Sequence, residues 1–130
     1  MSVIAVVVAA IVQVILGFLW YGPLFGKTWM SLMGINPQTL NREGMSKTLA
    51  WTFLGSLVTA AVLGRLVWMV GAATLGAGLA LGFWVWLGFV ATVTLASVLY
   101  EKRSVNLYIL NNGYQLISLL VMGAILGAWH

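Results

Sequence analysis

The chain contains no cysteine. Disulfides and thiolate metal sites are therefore excluded, and packing with hydrogen bonding must hold the fold. Histidine occurs once, as His130, so no cluster of His, Asp and Glu has metal-ligand spacing, and no cofactor is expected. Acidic residues are nearly missing. Glu43 and Glu101 are the only two, and both lie outside the apolar runs. That argues against a proton-coupled transporter of the small multidrug type, which needs a titratable carboxylate inside its bundle. Serine and threonine are plentiful, but with His130 as the only imidazole and no intramembrane carboxylate no nucleophile and base pair of the usual kinds can be built. A non-enzymatic protein is the expectation.

Apolar residues dominate instead. They make up 62% of the 130 residues, against 6% charged, and the mean hydropathy is +1.06. A chain this short leaves roughly a third of its surface exposed, and it has too little polar surface to cover that fraction in water. Lipid is the solvent that tolerates it. Four apolar runs, about 3–20, 49–70, 72–100 and 107–129, approach or exceed the length needed to cross a hydrocarbon core as helices. None alternates as a barrel strand would, and open backbone groups cannot be satisfied by lipid. The expected fold class is all-α, a single polytopic membrane domain: a four-transmembrane-helix bundle with an interfacial segment between helices 1 and 2.

The first run has no Lys or Arg before it and ends in Leu19, Trp20 and Tyr21, so it reads as a retained span and not a signal peptide. Lys27, Arg42 and Lys47 lie between spans one and two, and Lys102 and Arg103 between spans three and four. Only Arg65 belongs to the other side, which it can reach by snorkelling from span two. The positive-inside rule then puts both termini outside the cell (inner) membrane and the basic loops in the cytoplasm. The basic residues suit lipid head groups better than nucleic acid. In the first loop, about 21–47, Gly22-Pro23 should break the first helix, and the apolar stretch to Met33 should lie along the interface. Asn36-Pro37 reads as the start of a short helix.

Each span also carries a small or polar stripe at helical spacing. These are Ala5, Ala9, Gln13, Gly17 and Tyr21; Thr52, Ser56 and Thr59; Gly78, Gly82, Gly88 and Thr92; and Asn111, Gln115, Ser118 and Met122. Such stripes should face protein. Gly78 with Gly82 and Gly123 with Gly127 form GxxxG pairs able to pack helices within the chain or between copies, so a homo-oligomer is expected. Gln13, Ser56, Thr92 and Gln115 all lie about 12 Å from the cytoplasmic edge of their spans. They form a candidate polar layer, either a set of interhelical hydrogen bonds or a constriction on the path of a small solute. Trp84 and Trp86, well inside span three, are expected to pack against a neighbouring helix. Leu16-Gly17-Phe18 recurs as Leu81-Gly82-Phe83, a faint parallel echo.

Trp20-Tyr21-Gly22-Pro23-Leu24-Phe25-Gly26-Lys27-Thr28-Trp29-Met30, together with Gly82-Phe83-Trp84-Val85-Trp86-Leu87-Gly88-Phe89, Glu101-Lys102-Arg103-Ser104 and Asn111-Asn112-Gly113-Tyr114, resembles a family of small bacterial membrane proteins, domain of unknown function 1761. The resemblance covers essentially the whole chain and implies four spans, with no catalytic residues. It draws attention to the cytoplasmic face, where Trp20, Tyr21, Trp29, Glu101, Arg103, Asn111 and Tyr114 form a second candidate site. Two functional classes follow: a homo-oligomeric bundle with a structural or regulatory role, or a small channel or transporter with a polar path between helices or subunits.

Overall fold

In the computed structural model, residues 3–33, 45–102 and 104–129 are described. Asn36, Pro37 and Arg103 lie outside them, and with them the short helix expected at 36–37. The described residues form helices joined by short turns, without a strand. The four candidate spans are Val3–Leu24, Lys47–Val70, Leu75–Leu99 and Val105–Ala128.

Helix α1, Val3–Leu19, does not break at Gly22-Pro23 as expected. It widens into a π turn, Trp20–Leu24, and the chain turns at Phe25 into α2, Gly26–Met33. Proline has no N–H and its ring crowds the carbonyl four residues back, so the backbone accommodates it by bonding one residue further. Phe25 N–H accordingly donates to the Trp20 carbonyl at 2.9 Å. The return path brings Gly26 so close to the Tyr21 carbonyl that a Cβ would sit 2.8 Å from its oxygen, so only glycine fits without a shift.

Helix α3, Met45–Val70, ends in a Schellman motif. Gly71 adopts φ 71°, its N–H donates to Trp68, and Ala72 N–H donates to Val67. The third span starts later than expected, at Leu75, because Thr74 caps it by accepting from Ala77 N–H at 3.1 Å. This span is α4, Leu75–Trp86, a second π turn at Leu87–Ala91, and α5, Thr92–Leu99. Ser104 caps α6, Val105–Ala128.

Helix α6 is the axis of the bundle, and the other three spans all pack on it. Its seam with α4 is the tightest because four glycines line it. A Cβ on Gly78 would collide with the Gly123 carbonyl, one on Gly82 with the Leu119 carbonyl, one on Gly123 with the Gly78 carbonyl, and one on Gly127 with the Thr74 carbonyl. The two GxxxG pairs thus serve each other inside one chain. On the other side of α6, Ala5, Ala9 and Ala10 of α1 meet a core of Ala60, Leu63, Val67, Leu119, Met122 and Leu126.

The stripe on α1 is buried at Ala5, Ala9 and Gln13, and that on α6 at Ser118 and Met122. On α3 only Ser56 of the three is buried, and in the third span Gly88 and Thr92 are exposed. Of the two inner tryptophans, Trp86 donates its indole N–H to the Asn112 carbonyl at 2.9 Å, whereas Trp84 is 64% exposed and packs only on Phe83 among the rings. The reason is angular: residues two apart stand on opposed sides of a helix. Arg65 reaches over the ring of Trp68 at 5.4 Å, one turn nearer the end of its span.

Candidate functional site

Beyond the glycine seam, towards the start of α6, the two helices of the last hairpin separate. The second π turn supplies backbone carbonyls to the side chains of α5 and α6 that meet there. The single proton of the Thr94 hydroxyl is shared between the Val90 carbonyl at 2.6 Å and Asn112 Oδ1 at 3.1 Å, and the Tyr108 hydroxyl donates to the Ala91 carbonyl at 2.6 Å. Asn112, 6% exposed, is the knot of this region. It also donates through Nδ2 to the Tyr108 carbonyl at 3.0 Å.

Between these walls lies a cavity of about 510 Å³. The α5 side supplies Val90, Val93, Thr94, Ala96 and Ser97, the α6 side Leu107, Tyr108, Asn111, Asn112 and Gln115, and Trp29 comes from α2. Glu101 and Ser104, from the turn between spans three and four, stand exposed at its mouth. The wall from Val90 to Glu101 is about 16 Å long at helical rise.

The first π turn locks onto the same stretch of α6. Trp20 donates its indole N–H to the Leu110 carbonyl at 3.0 Å, and its ring fits against Gly113, where a Cβ would approach it to 3.2 Å. The Tyr21 hydroxyl donates to Asn111 Oδ1 at 2.6 Å, and the Tyr114 hydroxyl donates to the Gln13 carbonyl at 2.9 Å. Tyr21 lies between two rings, Trp29 and Tyr114, each 5.4 Å from it and edge-on. This clamp sets Trp29 at the cavity wall.

The cytoplasmic-face candidates are therefore largely neighbours. Trp20, Tyr21, Asn111 and Tyr114 form the clamp, and Trp29, Asn111 and Glu101 line the cavity. Arg103 lies outside the described residues. The four polar-layer candidates are placed differently. Gln13 and Ser56 are buried in the bundle, Gln115 is half-buried in the cavity wall, and Thr92 is exposed with its hydroxyl on the Gly88 carbonyl of its own helix. Gln13 Oε1 and Ser118 Oγ are enclosed without a hydrogen-bond partner among the described residues.

Sequence reasoning did not pick out Thr94, Tyr108 or Asn112. A signal existed for one of them: adjacent residues on a helix point about 100° apart, so Asn111 and Asn112 had to serve two different faces. The lining can bind without doing covalent chemistry. It offers the indole N–H of Trp29, the amides of Asn111 and Gln115, hydroxyls and one carboxylate set among apolar side chains.

No curated protein and no solved structure matches the chain. A family described as protein of unknown function, DUF1761, matches residues 4–127. The clamp residues, the glycine seam and the cavity all fall within that match, and the chain belongs to the DUF1761 family.

Proposed function

We propose that this protein is a non-enzymatic, membrane-embedded binding protein with a regulatory role, which admits a small polar molecule to the cavity between α5 and α6. The observation that carries the reading is the asymmetry of one seam. At the Thr74 and Gly127 end, α4 and α6 touch backbone to backbone. At the other end they part around a cavity of about 510 Å³ with polar and apolar walls. We read a space built this way as a chamber shut at its glycine end and open along the flank where Val93, Thr94 and Ala96 are exposed, not as a path between the two ends of this helix pair. By the positive-inside rule the mouth faces the cytoplasm and both termini lie outside an inner membrane. Self-association is no requirement of this reading, because one chain supplies every wall named above and its GxxxG pairs are already engaged.

The absence of cysteine makes the test direct. Single variants Ser97→Cys, Gln115→Cys and Lys102→Cys, in sealed vesicles of known orientation, are exposed to a membrane-impermeant maleimide on each side in turn. All three are expected to react from the cytoplasmic side and from that side alone. Reaction of Gln115→Cys from both sides would replace the chamber with a transport path, and a Gln115→Cys thiol inert from both sides would sink the reading.

A further inference from the structure

The charge at the mouth of the cavity has a sign opposite to that of the chain. The protein carries a formal +4, yet Lys27, Lys47, Arg65 and Lys102 are all missing from the lining, where Glu101 is the charged residue among those described. Two aromatic residues, Trp29 and Tyr108, share the same wall. The Tyr108 hydroxyl is committed to the Ala91 carbonyl, which leaves its ring as the part it can offer. Deeper in, the Gln115 amide carries no hydrogen bond to another described residue, and Asn111 keeps its Nδ2 donor after accepting from Tyr21. Resting on the reading of this cavity as a binding chamber, we propose that its occupant is a small organic cation: an ammonium compound with a polar arm.

Each part of such a molecule has a counterpart. The ammonium meets the Glu101 carboxylate at the mouth and the rings of Trp29 and Tyr108, whose negative faces attract a cation. A carboxylate offers about four lone-pair sites, so Glu101 can accept from a ligand while keeping another partner. A hydroxyl or amide arm meets Gln115 and Asn111. The exposed lysines Lys27 and Lys102 face water, where salt screens them over about 8 Å. An anion would find no cationic side chain among the described lining residues.

Choline is a suitable probe. Ser97→Cys serves as reporter, because the Ser97 hydroxyl bonds the Thr94 carbonyl of its own helix and takes no part in the proposal. Choline at concentrations on the order of millimolar should slow maleimide labelling of Ser97→Cys about threefold or more. The neutral isostere, an alcohol with a tert-butyl group in place of the trimethylammonium, should not. Adding Glu101→Gln should weaken the protection about tenfold while labelling without choline stays the same. Trp29→Phe should keep most of the protection and Trp29→Leu should lose it. Equal protection by the neutral alcohol, or choline protection that survives both Glu101→Gln and Trp29→Leu, would overturn the cation assignment. If Ser97→Cys is not labelled at all, the chamber itself is wrong, which is a different failure.

Discussion

The Tyr21 hydroxyl sits 2.6 Å from Asn111 Oδ1, joining residues 90 apart in sequence and tying the π turn that closes the first span to the middle of the axial helix. Tyr21→Phe removes the donor and keeps the ring. Interhelical hydrogen bonds in membrane proteins average about 0.6 kcal/mol and reach about 1.7 kcal/mol, so the loss should fall in that range. Reversible unfolding in detergent of Tyr21→Phe, Asn111→Leu and the double variant would measure the coupling. A double variant whose loss equals the sum of the two single losses would mean that the bond contributes nothing.

Glycines separate into two groups by what a methyl would meet. Gly78→Ala drives a Cβ into the Gly123 carbonyl, whereas at Gly76, two residues away on the same helix, nothing lies within 4 Å. Overpacking costs typically about 1–3 kcal/mol, more when the obstacle is backbone, so Gly78→Ala should be destabilising by at least that much. Gly76→Ala should be neutral or stabilising by up to about 1 kcal/mol, from reduced backbone freedom. Thermal unfolding of the two variants side by side decides it, and equal melting temperatures would contradict the seam.

Gln13 and Ser118 present the reverse case, with Oε1 and Oγ enclosed and no hydrogen-bond partner of good geometry among the described residues. Replacing a buried unsatisfied group by an apolar one of similar shape removes a desolvation cost of about 1–3 kcal/mol. Gln13→Met and Ser118→Ala should therefore leave stability unchanged or raise it. A clear loss in either variant would show that a bound water or other small molecule satisfies the group.

Lys102 holds φ 55°, the left-handed region that side chains with a Cβ enter at a cost. Lys102→Gly should stabilise the turn by about 1 kcal/mol, against a Lys102→Ala control that keeps the strain. Comparison of the two by chemical unfolding tests the turn. A Lys102→Gly variant no more stable than Lys102→Ala would refute it.

The spans were legible because length and hydropathy suffice to define a transmembrane helix, and the α1 stripe because that helix is regular from Val3 to Leu19. Its buried Ala5, Ala9 and Gln13 follow the ordinary spacing of four. Projection failed in the third span for a physical reason. Gly78, Gly82 and Trp86 share a face, but the π turn at Leu87–Ala91 inserts one residue and rotates everything after it by about 100°. Gly88 and Thr92, expected on the stripe, are exposed, and Ala91 and Thr94 take over the contacts with α6. Proline explains the first π turn and could be read in advance. No proline marks the second, so the side chains that build the cavity stayed hidden in a run of apolar residues.

The central position of α6 also bears on how the protein is made. Translation delivers the other three spans first, yet the faces they bury are completed by the helix that follows them. Helices already stable across a bilayer can wait there before they associate. During that interval the glycines of α4 stay open to lipid or to other nascent segments. Arrival of α6 in the bilayer is then the event that turns separate inserted helices into one bundle.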